Sequence, residues 1–264
     1  MENENPEPQA PPRPPSTTDE QTQMSEVSTI GNIFFEPGRT FEDLKRKPRF
    51  ILATVIISLL IGAYGFALAY KVGDEGVRRF IVEQFDKNPS TSSMSSEQKA
   101  TAIDMQMQFS KIGRFISPLF VAIFMVIGGL LYWAAGKAFG GTGGFLHGWS
   151  TFVYSSLPPA VIGTIANFIV MIFKSADEID LATSQRTLVH ANPTLLMDGK
   201  ASPVLATIIG TLDLFMIWGW VLAAIGLRIM NKISSGSAWA IVIIFALVGL
   251  AIRVVLAYIG GAPA

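Results

Sequence analysis

Two long apolar segments joined by a short polar turn constrain the fold more than any other part of this chain. Residues 204–227 and 238–259 are each long enough to cross hydrocarbon as a helix, and the turn runs from Asn231 to Gly236. The first segment carries Asp213, and the second carries Arg253. Asp213 lies twenty residues before Ile233 and Arg253 twenty after it, so an antiparallel hairpin brings both charges to the same depth.

A charged side chain deep in hydrocarbon costs about 2.5 to 3.5 kcal/mol on insertion scales. Neither charge is therefore expected to face lipid. We predict that Asp213 and Arg253 pair, or share one polar pocket, inside a helical bundle.

Three further apolar runs complete the pattern, at residues 50–70, 116–139 and 149–173. Half of the residues are apolar and only 15% are charged, which is outside the range of soluble domains. The sequence therefore predicts an all-α, polytopic membrane bundle with five transmembrane helices over residues 50–260. The start of the chain has no apolar core behind a basic end, so the first span is expected to act as its own signal anchor.

Several functional classes lack the residues that they need. A formal net charge of zero does not suit a nucleic-acid binder, and the absence of cysteine excludes thiolate chemistry. The only histidines, His147 and His190, do not form a zinc-protease motif. Gly148-Trp149-Ser150 begins a nucleophile elbow, but Phe152 replaces its second glycine. We therefore predict no enzyme activity, no cofactor and no metal site.

The N-terminal 29 residues are rich in proline and polar side chains, which predicts a disordered tail. Pro11 to Pro15 can serve as a polyproline ligand for a partner domain, but a plain solubilising tail is the preferred interpretation of such a short, common pattern.

Residues 30–49 mix apolar and polar side chains and are predicted to form an interfacial amphipathic collar on the bilayer surface. Thr40 and Asp43 resemble a capping box that starts a short helix, which Pro48 then ends. A basic cluster abuts the first span, consisting of Arg39, Lys45, Arg46, Lys47 and Arg49. This cluster either attracts anionic headgroups or a partner's acidic patch, or acts only as the topology signal, and the second interpretation is preferred.

The polar excursion at residues 71–113 contains two helical patterns separated by turn residues. In the second pattern, Ala100, Ile103 and Met107 mark one stripe, and a different stripe contains Met105, Phe109, Ile112 and Ile116. We predict a small amphipathic hairpin packed on the outer surface of the bundle.

The third span contains Pro158 and Pro159, which remove backbone donors and predict a helix kink. The hydroxyls of Ser155 and Ser156 are expected to satisfy the released carbonyls. A kink can line a transport path or can simply allow packing, and packing is preferred. Glycines in the spans, among them Gly62, Gly65 and Gly129, are predicted to be packing sites.

Five spans place the termini on opposite sides of the membrane. The density of basic residues before the first span predicts a cytoplasmic N-terminus and a C-terminus outside.

Three stretches together resemble the Yip family, the Ypt/Rab-interacting membrane proteins, and most closely its bacterial branch. They are FFEPGRTFEDLKRKPRF, FVYSSLPPAVIGTI and TLDLFMIWGWVLAAIGLRIMNKISSGSAWAIVIIFALV. The resemblance implies a five-span domain with a cytosolic N-terminus and favours a bacterial inner membrane. Eukaryotic members are linked to small GTPases partly through an Asp-Leu-Tyr-Gly-Pro-like motif. The comparable region here, Phe34 to Arg39, lacks that motif, so a small GTPase is not predicted as a partner.

Two functional hypotheses follow. The first is a non-enzymatic membrane scaffold whose tail and collar recruit protein partners or organise lipid at the cytosolic face. The second is a channel or transporter for ions or small solutes, with Asp213, Arg253 and the Pro158-Pro159 kink lining the path. Nothing in the sequence specifies an oligomeric state.

Overall fold

The fold is that of a computed structural model, which describes residues 24–88, 91–181, 187–189, 191–197, 199 and 201–260. These residues form eight α-helices, and no strand lies among them. The helices are α1 (Glu26–Asn32), α2 (Pro37–Arg46), α3 (Ile51–Lys87), α4 (Ser96–Ala138), α5 (Phe145–Phe173), α6 (Pro203–Gly210), α7 (Leu214–Asn231) and α8 (Ser235–Gly260). Five of them, α3, α4, α5, α7 and α8, are long and apolar enough to cross a membrane, which confirms the predicted five-span all-α bundle.

The outer hairpin is built differently from the prediction, because its two arms are continuous with the first two spans. Helix α3 has 37 residues and α4 has 43, and at 1.5 Å per residue α4 is about 64 Å long. Only about 20 residues are needed to cross the hydrocarbon. The hairpin is therefore an extension of the bundle beyond the spans, and α3 bends within it at Gly73, where φ is 75°.

Close helix packing depends on particular glycines. A Cβ atom on Gly129 of α4 would lie 2.5 Å from the Cα atom of Trp149 in α5, and one on Gly62 of α3 would lie 2.6 Å from Pro118 in α4. These two glycines are packing sites, as predicted. Gly65 has open space around it, so the same prediction was wrong there.

The fourth span is interrupted, whereas the sequence predicted one helix over residues 204–227. Helix α6 ends at Gly210, Thr211 follows as its C-cap, and α7 starts only at Leu214. Asp213 has extended backbone angles and is the N-cap of α7. Aspartate favours this position because its carboxylate accepts a bond from a backbone N–H that has no partner inside the helix.

The two prolines of the third span lie within α5, which continues as a helix on both sides of them. The hydroxyls of Ser155 and Ser156 donate to the carbonyl oxygen of Phe152, at 3.0 and 2.8 Å. They do not donate to the carbonyls of Tyr154 and Ser155, which the prolines deprive of their helical donors. That part of the prediction was wrong.

Candidate functional sites at the two ends of the bundle

The N-terminal collar is clamped by a buried ion pair. Arg49 donates to the Asp43 carboxylate and to the carbonyl oxygen of Met24, while the backbone N–H of Met24 donates to Asp43 at 3.2 Å. Both charged side chains are buried. This arrangement ties the start of α1, the end of α2 and the start of the first span to one another.

The apolar face of the collar packs along α7, so protein covers the face for which the sequence predicted the bilayer surface. Phe41 and Leu44 of α2 are fully buried, and Phe41 packs against Gly226. The rings of Phe34 and Trp218 meet edge to face, with centroids 6.3 Å apart. Gly226 and Trp218 are eight residues apart in α7, about 12 Å along its axis, so α2 and the loop before it follow that helix.

The start of α2 also differs from the prediction. Pro37 occupies the first turn, where its missing N–H costs no hydrogen bond, and Glu36 is the N-cap. Thr40 lies one turn into the helix, where its hydroxyl donates to the carbonyl oxygen of Glu36 at 2.9 Å. Thr40 and Asp43 therefore do not form a capping box. The helix ends at Arg46, just before Pro48, as predicted.

The basic cluster divides into three kinds of residue. Arg49 is buried in the clamp, and two others form exposed pairs on α2, Arg39 with Glu36 and Lys45 with Glu42, both at 3.2 Å. Arg46 and Lys47 are exposed at the end of α2. The outward face of the collar is consequently charged, because Glu36, Arg39, Glu42 and Arg46 are all exposed.

The glycine-rich loop between α4 and α5, residues 140–144, and His147 complete the collar end of the bundle. The backbone N–H of Gly144 donates to His147 Nδ1 at 3.1 Å, and His147 Nε2 lies 3.2 Å from the carbonyl oxygen of Lys45. His147 thus links the start of α5 to the end of α2. The Ser150 hydroxyl is buried and has no hydrogen-bond partner among the described residues, so it is not positioned as a nucleophile next to His147.

The loop between α4 and α5 is pressed against the end of α7. Thr142 N–H donates to the carbonyl oxygen of Asn231 at 2.9 Å. A Cβ atom on Gly136 or Gly143 would lie within 2.6 Å of the Asn231 side chain, which is fully buried. The loop is therefore a packed turn.

The opposite end of the bundle holds the helix break together with Asp213 and Arg253. Asp213 Oδ1 accepts from the N–H of Phe215 at 2.9 Å, and Oδ2 accepts from Asn192 Nδ2 at 3.0 Å. Arg253 Nη2 donates to Thr211 Oγ1 at 3.3 Å. Asp213 and Arg253 therefore approach the same three-residue break, and among the described residues no ion pair within 4 Å joins them.

The break explains how each charge is stabilised. Asp213 caps the N-terminus of α7, where the helix dipole is positive, and Arg253 reaches the C-cap of α6, where the dipole is negative. Asp213 thus meets an unsatisfied backbone N–H at the start of α7, and Arg253 meets the hydroxyl of the residue that ends α6. An uninterrupted fourth span would offer neither helix end at this position.

A polar loop covers the end of the third span on this side. Asn167 Oδ1 accepts from Thr187 Oγ1 at 3.0 Å and from the N–H of Val189 at 3.1 Å, and it also accepts from the N–H of Leu188. Nearby, the N–H of Leu214 donates to the carbonyl oxygen of Ala191 at 3.1 Å. The loop is therefore fastened to both α5 and α7. His190 lies outside the described residues, as do residues 1–23 of the predicted tail.

The acidic run after the third span forms a local turn. Ser175 N–H donates to Glu178 Oε2 at 2.8 Å, and this bond is the main cause that holds the pKa of Glu178 below its usual value. The pKa of Asp177 is also lowered, chiefly by a hydrogen bond with the Ser175 side chain. Among the described residues, no three His, Cys, Asp or Glu side chains are grouped so that they could hold a metal ion.

The chain is therefore an integral membrane helical bundle with an N-terminal amphipathic collar clamped into one end and an interrupted span at the other. Residues 31–257 match the Yip1 domain, so the chain belongs to the Yip1 family. It is similar to "Membrane protein YknW" of Bacillus subtilis (strain 168), with 25% identity over 225 residues that cover 83% of this chain and 86% of that protein. No solved structure matches the chain.

Proposed function

We propose that this protein is a non-enzymatic membrane scaffold that recruits a protein partner at the cytosolic face. The observation that carries the proposal is the clamped collar. Its inner face is fastened by the Asp43–Arg49 pair, while its outward face presents charged side chains and Phe35, which is 85% exposed. A rigid surface with a protruding aromatic side chain and flanking charges has the composition of a protein contact site.

The collar end is assigned to the cytoplasm of a bacterial cell with an inner-membrane location. Basic residues support this assignment, because Lys137, Arg228 and Lys232 end α4 and α7 at the same end as Arg46 and Lys47. In the outer hairpin, Arg78, Lys87, Lys99 and Lys111 each form an ion pair with an acidic side chain of the hairpin.

The test is site-specific photocrosslinking in intact cells. A photoreactive amino acid at Phe35 is expected to give a discrete protein adduct, and replacing Arg46 and Lys47 by glutamate is expected to abolish it. The matched control is Leu196, which is 92% exposed at the opposite end. Adducts only to lipid at Phe35, or the same protein adduct from both positions, would refute recruitment through the collar.

A second candidate function, transport of an ion or small solute, is favoured by the interrupted fourth span. Broken helices that present charged side chains and unpaired backbone groups at membrane depth are a feature of secondary transporters. In this chain Asp213 and Arg253 already occupy the two half-helix ends, so a transported ion would have to displace one of them.

Flux through liposomes that contain the purified protein distinguishes the two candidates. Transport predicts a solute-specific flux that Asp213→Asn and Arg253→Leu abolish while the protein remains folded. The scaffold predicts no flux over a panel of ions and small solutes, with wild type and both variants alike.

A further inference from the structure

Helix α4 has two apolar faces, and the described residues of the chain cover one of them. Ile103 is buried against Val77 and Ile81 of α3, and Met107 packs on the same cluster. Ion pairs reinforce this side, with Asp74 2.6 Å from Lys111 and Arg78 2.6 Å from Asp104. The interaction of the hairpin arms therefore explains the first apolar stripe of α4, but not the second.

The second stripe is a heptad pattern that continues for four heptads. Its members follow one another at alternating intervals of three and four residues, and they are Ala102, Met105, Phe109, Ile112, Ile116, Leu119, Ile123, Val126 and Leu130. In the part of the helix before the span, Met105 is 54%, Phe109 65% and Ile112 57% exposed. A sustained heptad of apolar residues is the pattern of a coiled-coil seam. We call these nine residues the α4 seam.

Lipid accounts for only part of this pattern. The apolar run of α4 begins at Ile116, and Met105 lies eleven residues before it, about 16 Å along the helix. The interfacial layer beyond the hydrocarbon is only about 5 to 8 Å thick, so the outer third of the α4 seam extends into water. A surface groove runs along this outer part and is lined in part by Ala102, Met105 and Phe109. Large exposed apolar patches in water mark contact sites.

We propose that the α4 seam pairs with the α4 seam of a second copy of this chain, in a parallel dimer about a twofold axis normal to the membrane. Both copies share one orientation in the membrane, so the two-fold axis sets each seam residue near its own counterpart. In the outer part of the helix the flanking positions are Thr101, Gln106, Gln108 and Gly113, and none of them is charged. When two copies pair in parallel, these flanking positions of one copy face those of the other, so no like charges are brought together there. Asp104 and Lys111 of this region form their ion pairs with Arg78 and Asp74 of α3.

Cysteine crosslinking tests the proposal directly, because the chain contains no cysteine. Ile112→Cys places a thiol in the seam, and Lys111→Cys places one on the neighbouring exposed position, which faces away from it. Each variant is reconstituted in liposomes at high dilution and oxidised. Ile112→Cys is expected to form a disulfide-linked dimer at least about tenfold faster than Lys111→Cys, because a held pair has a high effective concentration. Equal rates would overturn the proposal.

A second measurement does not depend on crosslinking. Phe109→Glu places two like charges across the proposed interface, whereas Ala100→Glu adds the same charge at an exposed position outside the seam and its flanking positions. Single-molecule photobleaching of labelled protein in dilute liposomes is expected to show two bleaching steps for wild type and Ala100→Glu, and one step for Phe109→Glu. One step for wild type, or two for Phe109→Glu, would refute pairing through the seam. If Ile112→Cys instead crosslinks in cells only to a different protein, the occupant is not a second copy and the proposal also fails.

Discussion

Arg49 and Asp43 form an ion pair at the collar end of the bundle, and both side chains are almost completely withdrawn from solvent. The pair lies six residues apart in sequence and spans the end of α2 and the start of α3. Because Arg49 also donates to Met24, the same contact holds the first residues before α1. The collar is thus part of the packed bundle, and the buried charge pair adds to the apolar contacts of Phe41 and Leu44 that hold it there.

The first prediction concerns this pair. Asp43→Asn removes the carboxylate and leaves the Arg49 charge buried, which is expected to cost about 3 to 5 kcal/mol in the free energy of unfolding. Thermal and denaturant unfolding of the purified protein in detergent measure the loss. Glu42→Gln is the matched control, because it removes the exposed pair with Lys45 and is expected to cost less than about 1 kcal/mol. Equal destabilisation by both variants would contradict the structural role of the buried pair.

The second prediction separates the capping role of Asp213 from its charge. Asparagine is also a good N-cap, so Asp213→Asn is expected to keep the bond to the Phe215 N–H, whereas Asp213→Leu loses it. The leucine variant is therefore expected to be less stable than the asparagine variant by about 1 kcal/mol. Hydrogen exchange at the Phe215 amide provides the local readout, and it should be faster only in the leucine variant. Equally fast exchange in both variants would show that the negative charge, not the cap, holds the break.

The five spans could be predicted from sequence because each is a long apolar run, and hydrophobic length is the strongest signal that a membrane helix gives. The break at Thr211 to Asp213 could not be predicted in the same way. Asn192, which is 21 residues away, donates a hydrogen bond to Asp213. Hydropathy averaged over neighbouring residues does not detect a contact at that separation. Asp213 and Arg253 could be placed at equal depth from sequence, because each lies twenty residues from the turn at Ile233. Their separate stabilisation at the ends of two half-helices could be recognised only from the structure, because it depends on the helix break.

The collar shows a different limit of sequence reasoning. Its amphipathic pattern required an apolar partner, and lipid and protein satisfy that pattern equally well. Phe41 and Leu44 in fact pack into the bundle. From sequence, Arg49 could not be told apart from the other four basic residues that precede the first span and were interpreted as a topology signal. Nothing in the local pattern indicated that Asp43 would be buried beside it. Similarly, the two stripes of α4 were visible in the sequence, but only the structure shows that α3 covers the stripe of Ile103 and leaves that of Phe109 exposed.

The third prediction concerns pH and the turn after the third span. The pKa of Glu178 is lowered, first of all because the Ser175 N–H donates to its carboxylate. A lowered pKa means that the ionised carboxylate stabilises the turn above the unfolded pKa, and that this contribution is lost as pH falls through the folded pKa. In carbon-detected NMR of labelled glutamate, the Glu178 signal is expected to titrate below the ordinary range for a glutamate side chain. Ser175→Pro removes the N–H and should return the pKa of Glu178 toward its ordinary value. An unchanged titration in that variant would show that the N–H is not the cause.

The last prediction uses two glycines that sequence reasoning treated alike. Gly129→Ala directs a methyl group at the backbone of Trp149, with a Cβ to Cα distance of 2.5 Å before relaxation. A backbone atom cannot rotate away, so α4 and α5 must separate, which is expected to cost about 1 to 3 kcal/mol. Gly65→Ala meets nothing within 4 Å and replaces a poor helix former by a good one, so it should leave stability unchanged or raise it by up to about 1 kcal/mol. Unfolding of the two variants under identical detergent conditions checks this order.

Because the stacked rings of Phe50 and Trp149 lie next to the same contact, tryptophan fluorescence should also change in Gly129→Ala and not in Gly65→Ala. A Gly129→Ala variant as stable as wild type would mean that α4 and α5 are farther apart than the structure places them.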